Sequence, residues 1–210
     1  MRPSPPPFLI AIAGGSGSGK SSITRTLVGR FPTGTFSVMT LDSYYRSRPD
    51  LAGSPVDDAN FDHPEALDFP LLRQHLEALR QGVAIACPIY NFATHTREEG
   101  TTPVTPAPII LVDGILALSD PQLAALFDLR IFVEASPDLR LIRRMKRDLV
   151  ERNRSMDETL NQYLATVREM HSEFVEPARA RAHLVIHNDR PGQASEALER
   201  LLEFAVRLPR

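Results

Sequence analysis

Gly14-Gly15-Ser16-Gly17-Ser18-Gly19-Lys20-Ser21 constrains this chain more than any other stretch. It satisfies G-x-x-x-x-G-K-[ST], the spacing of a phosphate-binding loop. Phe8 to Ala13, just before it, is a continuous apolar run (FLIAIA), as a strand buried on both faces requires. Lys20 to Arg30, just after it, reads as a helix. The glycines let successive backbone N–H groups turn inward around phosphate oxygens, and the helix N-terminus adds partial positive charge. Gly14, Gly15, Ser16, Gly17, Ser18, Gly19, Lys20, Ser21 and Ser22 are therefore the candidate nucleoside-triphosphate ligands. Lys20 is placed to reach the β- and γ-phosphates, and the Ser21 hydroxyl to ligate Mg²⁺. Of the 24 basic residues only Lys20 and Lys146 are lysines, so a lysine at this point is informative. The loop alone names no reaction, because motors, GTPases and kinases share it. No Asn-Lys-x-Asp guanine-reading run occurs, which counts against a GTPase.

The rest of the chain alternates strand-like and helix-like segments. Phe36 to Leu41, Ile109 to Val112, Arg130 to Glu134 and His183 to Ile186 read as strands, the first two ending at Asp42 and Asp113. Asp68 with Pro70 starts a helix that stops at Gly82. Ser136-Pro137-Asp138 starts another that runs to about Glu151. Ser155 and Glu158 form a capping box for a third. Its apolar stripe is Met156, Leu160, Tyr163, Leu164, Val167, Met170 and Phe174, and Pro177 ends or kinks it. Gln193 to Val206 reads as a closing amphipathic helix, and Val83 to Thr105 as a hairpin off the main sheet. The expected fold is α/β of the P-loop NTPase type: a parallel sheet of about five strands with helices on both faces, plus the hairpin and a helical lid. One domain spans residues 1–210, with a frayed leader at 1–7, the hairpin at 83–105 and the lid at 148–157.

Composition narrows the partners. At 210 residues, 42% hydrophobic and 24% charged, the chain is ordinary globular protein rather than disordered or coiled-coil. A net charge of −2 supports neither nucleic-acid nor anionic-membrane binding. No run reaches the roughly 18 apolar residues of a membrane span. The single cysteine, Cys87, excludes an internal disulfide framework and a multi-cysteine zinc site, and suits a cytoplasmic protein.

Three further groups bear on chemistry. Asp42 closes a strand where an open α/β sheet binds its ligands; a carboxylate there can take the proton of an attacking hydroxyl, or simply form a turn. Asp113 is either a second acid near the metal or a turn residue before Gly114. Arg140, Arg143, Arg144 and Arg147 share one helix face, and Arg152 and Arg154 follow in a polar link. Beside a phosphate loop, such cations suit a lid over a transferring phosphoryl group better than a solvated basic face. The histidines His63, His75, His171, His183 and His187 show no metal-ligand spacing.

Taken with the glycine loop, several stretches resemble the uridine kinase (uridine–cytidine kinase) family of phosphate-loop kinases. They are Leu41-Asp42-Ser43-Tyr44-Tyr45, Asn60-Phe61-Asp62-His63-Pro64, Pro88-Ile89-Tyr90-Asn91-Phe92, His95-Thr96-Arg97 and Asp113-Gly114-Ile115-Leu116. Arg143-Arg144-Met145-Lys146-Arg147-Asp148, Glu151-Arg152-Asn153-Arg154-Ser155, Gln162-Tyr163 and Phe174-Val175-Glu176-Pro177 complete them. The resemblance implies phosphorylation of the 5′-hydroxyl of uridine or cytidine, as in pyrimidine salvage, using ATP (or GTP) and Mg²⁺. It makes Asp42 the base, with Lys20, Arg147 and Arg152 acting on phosphate, and Ser21 and Asp113 at the metal. It gives Asp62 the ribose hydroxyls and makes Tyr45, Phe61, Tyr90 and His95 the base pocket. It sets Arg144, Arg154 and Gln162 at the nucleoside or its lid, and implies a homotetramer whose hairpin closes over the nucleoside.

The chain departs from the family pattern at Asp113, usually Glu, at Asn153, usually Gly, and at His187-Asn188-Asp189-Arg190, usually Pro-Arg-Gly-Gly. The shorter Asp113 is compatible with contact to Mg²⁺ through water, and Asn tolerates a left-handed turn. Two other functions fit the same loop: a kinase of another small alcohol, such as a sugar phosphate or pantothenate, and a non-catalytic nucleotide-binding regulator.

Overall fold

The computed structural model describes residues 5–51, 60–152 and 154–190. The start of the leader, Asn153 and the expected helix from Gln193 to Val206 lie outside the described residues. The described strands are β1 (Phe8–Ala13), β2 (Phe36–Thr40), β3 (Ile85–Asn91), β4 (Thr96–Val104), β5 (Ile109–Asp113), β6 (Leu129–Glu134) and β7 (Leu184–His187). The α-helices are α1 (Lys20–Gly29), α2 (Phe69–Arg80), α3 (Pro121–Leu126), α4 (Pro137–Glu151), α5 (Met156–Gln162), α6 (Arg168–Met170) and α7 (Glu176–Ala178). Five strands form one parallel sheet in the order β2-β5-β1-β6-β7, and β3 and β4 form a separate antiparallel pair. This is the α/β arrangement that alternation of strand and helix implies. No helix among the described residues is long and apolar enough to cross a membrane.

The alternation of side chains along β1 explains the two layers. Ile10 and Ile12 face one side, where Ile23 and Leu27 of α1 cover them with Leu111, Ile131 and Val133. Leu9, Ala11 and Ala13 face the other, under Leu72, Leu76 and Leu79 of α2 and Leu123 of α3. A parallel sheet covered twice needs apolar side chains on both faces of its strands, which the runs FLIAIA and IILV supply. All its strands point the same way, so their carboxyl ends share one rim. β1, at the centre of the strand order, delivers the glycine loop to that rim.

The starts of α2, α3 and α5 follow side-chain caps, and that of α4 does not. Asp68 accepts from Leu71 N at 3.2 Å at the head of α2. Asp120 does the same for Leu123 N at 2.6 Å, opening the short α3 that the sequence reading passed over. Ser155 and Glu158 form the expected capping box. Ser136 sits at the N-cap of α4 but its side chain caps nothing there. Its N–H and hydroxyl donate instead to Asp189 Oδ1, at 2.7 and 2.8 Å, tying α4 to the chain after β7.

The expected apolar stripe from Met156 to Phe174 differs from the observed one. The helical path from α5 to α7 contains two π-helical stretches, Tyr163–Val167 and His171–Val175. Each widens a turn by one residue. The buried positions are therefore Thr159, Gln162, Val167, Met170, Val175 and Ala178, spaced alternately by three and five. Leu164 and Met156, counted inside the stripe by a uniform period, are exposed. Pro177 does not stop the path, which continues to Arg181 through a 3₁₀ turn. The π stretch just before it relieves the bond to residue i−4 that proline cannot make.

Candidate active site

Backbone conformation at the glycine loop explains its composition. Gly17 has φ +78°, and a Cβ there would run into the carbonyl of Arg140 on α4. Gly19, at φ +99°, caps α1 and faces the side-chain amide of Asn188. That amide donates to Ser18 O at 2.8 Å, so one of the departing residues after β7 buttresses the loop. Only glycine meets both demands, positive φ and no side chain. Lys20 Nζ donates to Gly14 O at 2.8 Å and Gly15 O at 3.0 Å. Burial lowers its pKa, opposed by the charges of Asp113 and Asp42.

Ser21 Oγ donates to Asp113 Oδ2 at 2.9 Å, although 92 residues separate them. The ends of β1 and β5 bring the two oxygens together because these strands are neighbours. Both are hard oxygen donors beside the phosphate loop, a set that fits Mg²⁺ carried in on phosphate. Among the described residues no cluster of three or more His, Cys, Asp or Glu is built to hold a metal by itself.

These groups open onto a cavity of about 970 Å³ whose wall includes Lys20, Ser21, Asp42, Tyr45, Phe61, Asp62, Asp113, Arg144, Arg147, Arg152, Arg154 and Gln162. Asp42 lies not at the last residue of β2 but in a 3₁₀ turn, Leu41–Tyr44, that follows it. Thr40 Oγ1 fixes the turn by accepting from Asp42 N at 3.3 Å. Burial raises the Asp42 pKa; the Arg152 guanidinium pulls it back most strongly, Asp113 pushes it up, and Lys20 and Arg147 pull it down. Burial likewise raises Asp62, against the pull of Arg144. Arg152→Gln is therefore expected to move the acid limb of the kcat/KM–pH profile to higher pH. A limb unmoved by that change would belong to a group other than Asp42.

The aromatic residues pack as one cluster. Tyr45 and Phe61 meet edge to face at 5.0 Å and Phe61 and Phe92 at 5.5 Å, while Tyr45 and Tyr90 are tilted at 5.4 Å. Tyr45 Oη donates to Phe61 O at 2.9 Å. Tyr45, Phe61 and Phe92 reach the cavity wall; Tyr90 and His95, expected in the base pocket, do not line it but pack against Tyr45 and Phe61. His95 is 1% exposed, stacks on Phe61 at 5.6 Å and holds φ +55°. Its Nδ1 is buried with no hydrogen-bond partner. Phe92, which the sequence places in a family-like stretch without a site role, occupies the wall at the hairpin tip.

Arg97 on β4 locks the hairpin to the turn carrying Asp42. It donates to Tyr45 O at 2.9 Å, to Tyr44 O at 3.1 Å and to Asp68 Oδ2 at 3.3 Å. Arg140, grouped by spacing with the phosphate-facing arginines, lies behind the loop instead, with Nε donating to Ala135 O at 3.0 Å. Arg144 donates to Ser16 Oγ at 3.0 Å and to Gln162 Oε1 at 2.5 Å. Arg154 shares that same amide oxygen at 2.7 Å. Asp148, given no role by the sequence reading, is fully buried among these arginines. Its signal was an acid at i+4 from Arg144 and i−4 from Arg152.

The arrangement thus brings a phosphate loop, a carboxylate of raised pKa and a bank of arginines to one cavity. Such a set can hold a nucleotide and move a phosphoryl group. Residues 9–193 match the family model described as Phosphoribulokinase / Uridine kinase family. The chain is 42% identical over 180 residues to the uridine kinase of Bacillus cereus (strain G9842), covering 86% of this chain and 85% of that one. It is 43% identical over 180 residues to the uridine kinase of Deinococcus deserti, covering 86% and 87%. Among solved structures it is similar to D-glycerate 3-kinase from Cryptococcus neoformans, at TM-score 0.64 and 13% identity over 89% of this chain and 88% of that one. It is similar also to a possible uridine kinase from Bacillus stearothermophilus, at TM-score 0.58 and 15% identity over 87% and 90%. At these identities the solved structures speak for the fold alone, and the sequence matches for descent. The chain belongs to the phosphoribulokinase/uridine kinase family of kinases.

Proposed function

We propose that this kinase transfers the γ-phosphoryl group of ATP to the 5′-hydroxyl of uridine and cytidine. The observation that carries the reading is the single cavity joining the phosphate loop to Asp42 and an aromatic wall with Asp62 beside it. Its uridine kinase relatives, 42% and 43% identical, support the same substrate class.

The loop amides and Lys20 hold the β- and γ-phosphates. Ser21 and Asp113 would hold Mg²⁺, which would neutralise phosphate charge. Asp42 accepts the proton of the 5′-hydroxyl as its oxygen bonds to the γ-phosphorus and the bond to the β-phosphate oxygen breaks, releasing ADP. Arg147 and Arg152 stabilise the charge on the moving phosphoryl group. Asp62 holds the ribose hydroxyls, and Arg144, Arg154 and Gln162 close the nucleoside end.

Phe61 and Tyr45 bound the base. His95 does not line the cavity in this structure but stacks on Phe61, which does, and its buried Nδ1 has no partner; in this reading a small shift of the hairpin on nucleoside binding brings that nitrogen to the base edge. Uracil presents an acceptor and cytosine a donor at the 4-position, and a neutral imidazole has one nitrogen of each kind. ADP release is measured with uridine, cytidine, adenosine, a pentose phosphate, pantothenate or no acceptor. Uridine and cytidine are expected to be turned over, and adenosine rejected by size. Faster turnover of the pentose phosphate or pantothenate would overturn the reading. His95→Phe is expected to lower kcat/KM for both pyrimidine nucleosides by about 1–3 kcal/mol, the cost of a buried base atom losing its partner. Unchanged values would remove His95 from base recognition.

A further inference from the structure

We infer that Asp148 is a positioning residue for phosphoryl transfer: its buried carboxylate aims the guanidinium groups of Arg147 and Arg152 at the cavity. The inference rests on the kinase reading above and concerns how the arginines of that site are held.

Asp148 is 0% exposed at the end of an arginine-rich helix. Arg147 donates through Nε to its Oδ1 at 2.9 Å, and Arg147 Nη2 stands 2.8 Å from the same oxygen. Arg152 Nε is 3.6 Å from Oδ1, and Arg144 Nε is 3.5 Å from Oδ2. The Asp148 carbonyl also accepts from Arg154 N at 3.1 Å, so the residue holds the link after α4 by its backbone as well. A buried carboxylate needs a cation, and one guanidinium would meet that need. Here three guanidinium groups from α4 and the following link converge on one carboxylate, so this four-residue cluster keeps a net positive charge beside the cavity.

The exposure of the partners gives the arrangement its direction. The side chains of Arg147 and Arg152 are 31% and 47% exposed, while Asp148 is wholly covered. Arg147 is hydrogen-bonded to the carboxylate on its inner edge and Arg152 is held there by charge at 3.6 Å; each keeps N–H donors on its outer edge, and both residues line the cavity. Without the carboxylate, neighbouring like charges would repel and the long side chains would spread over many rotamers. Fixed before the phosphoryl group moves, they need no reorganisation as charge develops. Asp148 itself is absent from the cavity wall, so it acts through the arginines.

The test compares Asp148→Asn with wild type for ADP release from ATP and Mg²⁺, with uridine as acceptor and, separately, with water. Asn keeps the shape and removes the charge. kcat is expected to fall by about 10–100-fold in both reactions, the usual scale for groups that orient a working residue. KM for ATP is expected to change by less than about threefold. In an Arg147→Gln/Arg152→Gln background the same substitution should change kcat by less than about twofold, because its agents are gone. Asp148→Glu, which keeps the charge, should recover most of the lost turnover, and circular dichroism confirms that each variant is folded. Unchanged kcat, an equal loss in the double-Gln background, or a Glu variant no better than Asn would each overturn the inference. A wild type that hydrolyses ATP in water but ignores uridine strikes at the substrate reading alone, since the water reaction still reports on Asp148.

Discussion

Asp42→Asn is expected to lower kcat by about 10²–10⁴-fold, the range for removing a general base. The nucleoside KM should change far less. The residue stands in a 3₁₀ turn whose backbone is fixed by Thr40 Oγ1, so Asn inherits the same position. Asn keeps the volume but cannot accept the hydroxyl proton. Burial raises the Asp42 pKa, which makes the ionised carboxylate both a better proton acceptor and a burden on the fold. The sign follows from linkage. A carboxylate with a folded pKa above its unfolded value of about 3.8 contributes stability at low pH and loses it as pH rises through that window. The Asn variant is therefore expected to unfold at neutral pH no more easily than wild type, while losing turnover. Steady-state kinetics and thermal unfolding on the same preparation check both halves. A loss confined to KM would make Asp42 a binding residue instead.

Lys20→Ala is expected to cost about 10²–10³-fold in turnover, as removal of one fixed donor to transition-state charge does elsewhere. The fold should persist. Lys20 Nζ binds the carbonyls of Gly14 and Gly15, so it is held at the loop before nucleotide arrives. Its burial weakens the hold on the proton, but Asp113 and Asp42 oppose that loss and favour the charged form. Alanine leaves two loop carbonyls short of a donor, a local cost next to the β1–α1 junction rather than a break in the core. Circular dichroism near that of wild type, together with lost turnover, is the expected pair. Near-normal turnover in a folded variant would refute the role.

What was legible in the sequence was what periodicity and short motifs encode. FLIAIA, IILV and the glycine loop mark β1, β5 and the phosphate site because a buried parallel strand must be apolar throughout and a phosphate nest needs positive φ. Ser155 and Glu158 mark a helix start by local chemistry alone. The π stretches were hidden because they change the register of burial without any residue announcing it, and Leu164 was assigned to the wrong face. Asp148 was hidden for another reason. An acid among arginines reads as an ordinary surface pair until the link after α4 folds back and makes it the buried centre of three. Arg97 and Phe92 depend on how the hairpin leans on the Asp42 turn, a tertiary contact that spacing cannot report. Ser21 and Asp113 fell between these cases. Each was readable by itself, and strand order decided that they meet.

Phosphorus NMR of the product formed from ATP, Mg²⁺ and uridine by the wild-type enzyme tests 5′-phosphoryl transfer directly. The expected result is ADP and a new phosphomonoester signal, split by the two C5′ protons of the ribose, formed in equal amounts. The same signal is expected from cytidine and none from 5′-deoxyuridine, which keeps the base and lacks the attacking hydroxyl. A phosphoryl group found on the 2′- or 3′-oxygen, or ADP formed without any phosphorylated nucleoside, would contradict 5′-phosphoryl transfer.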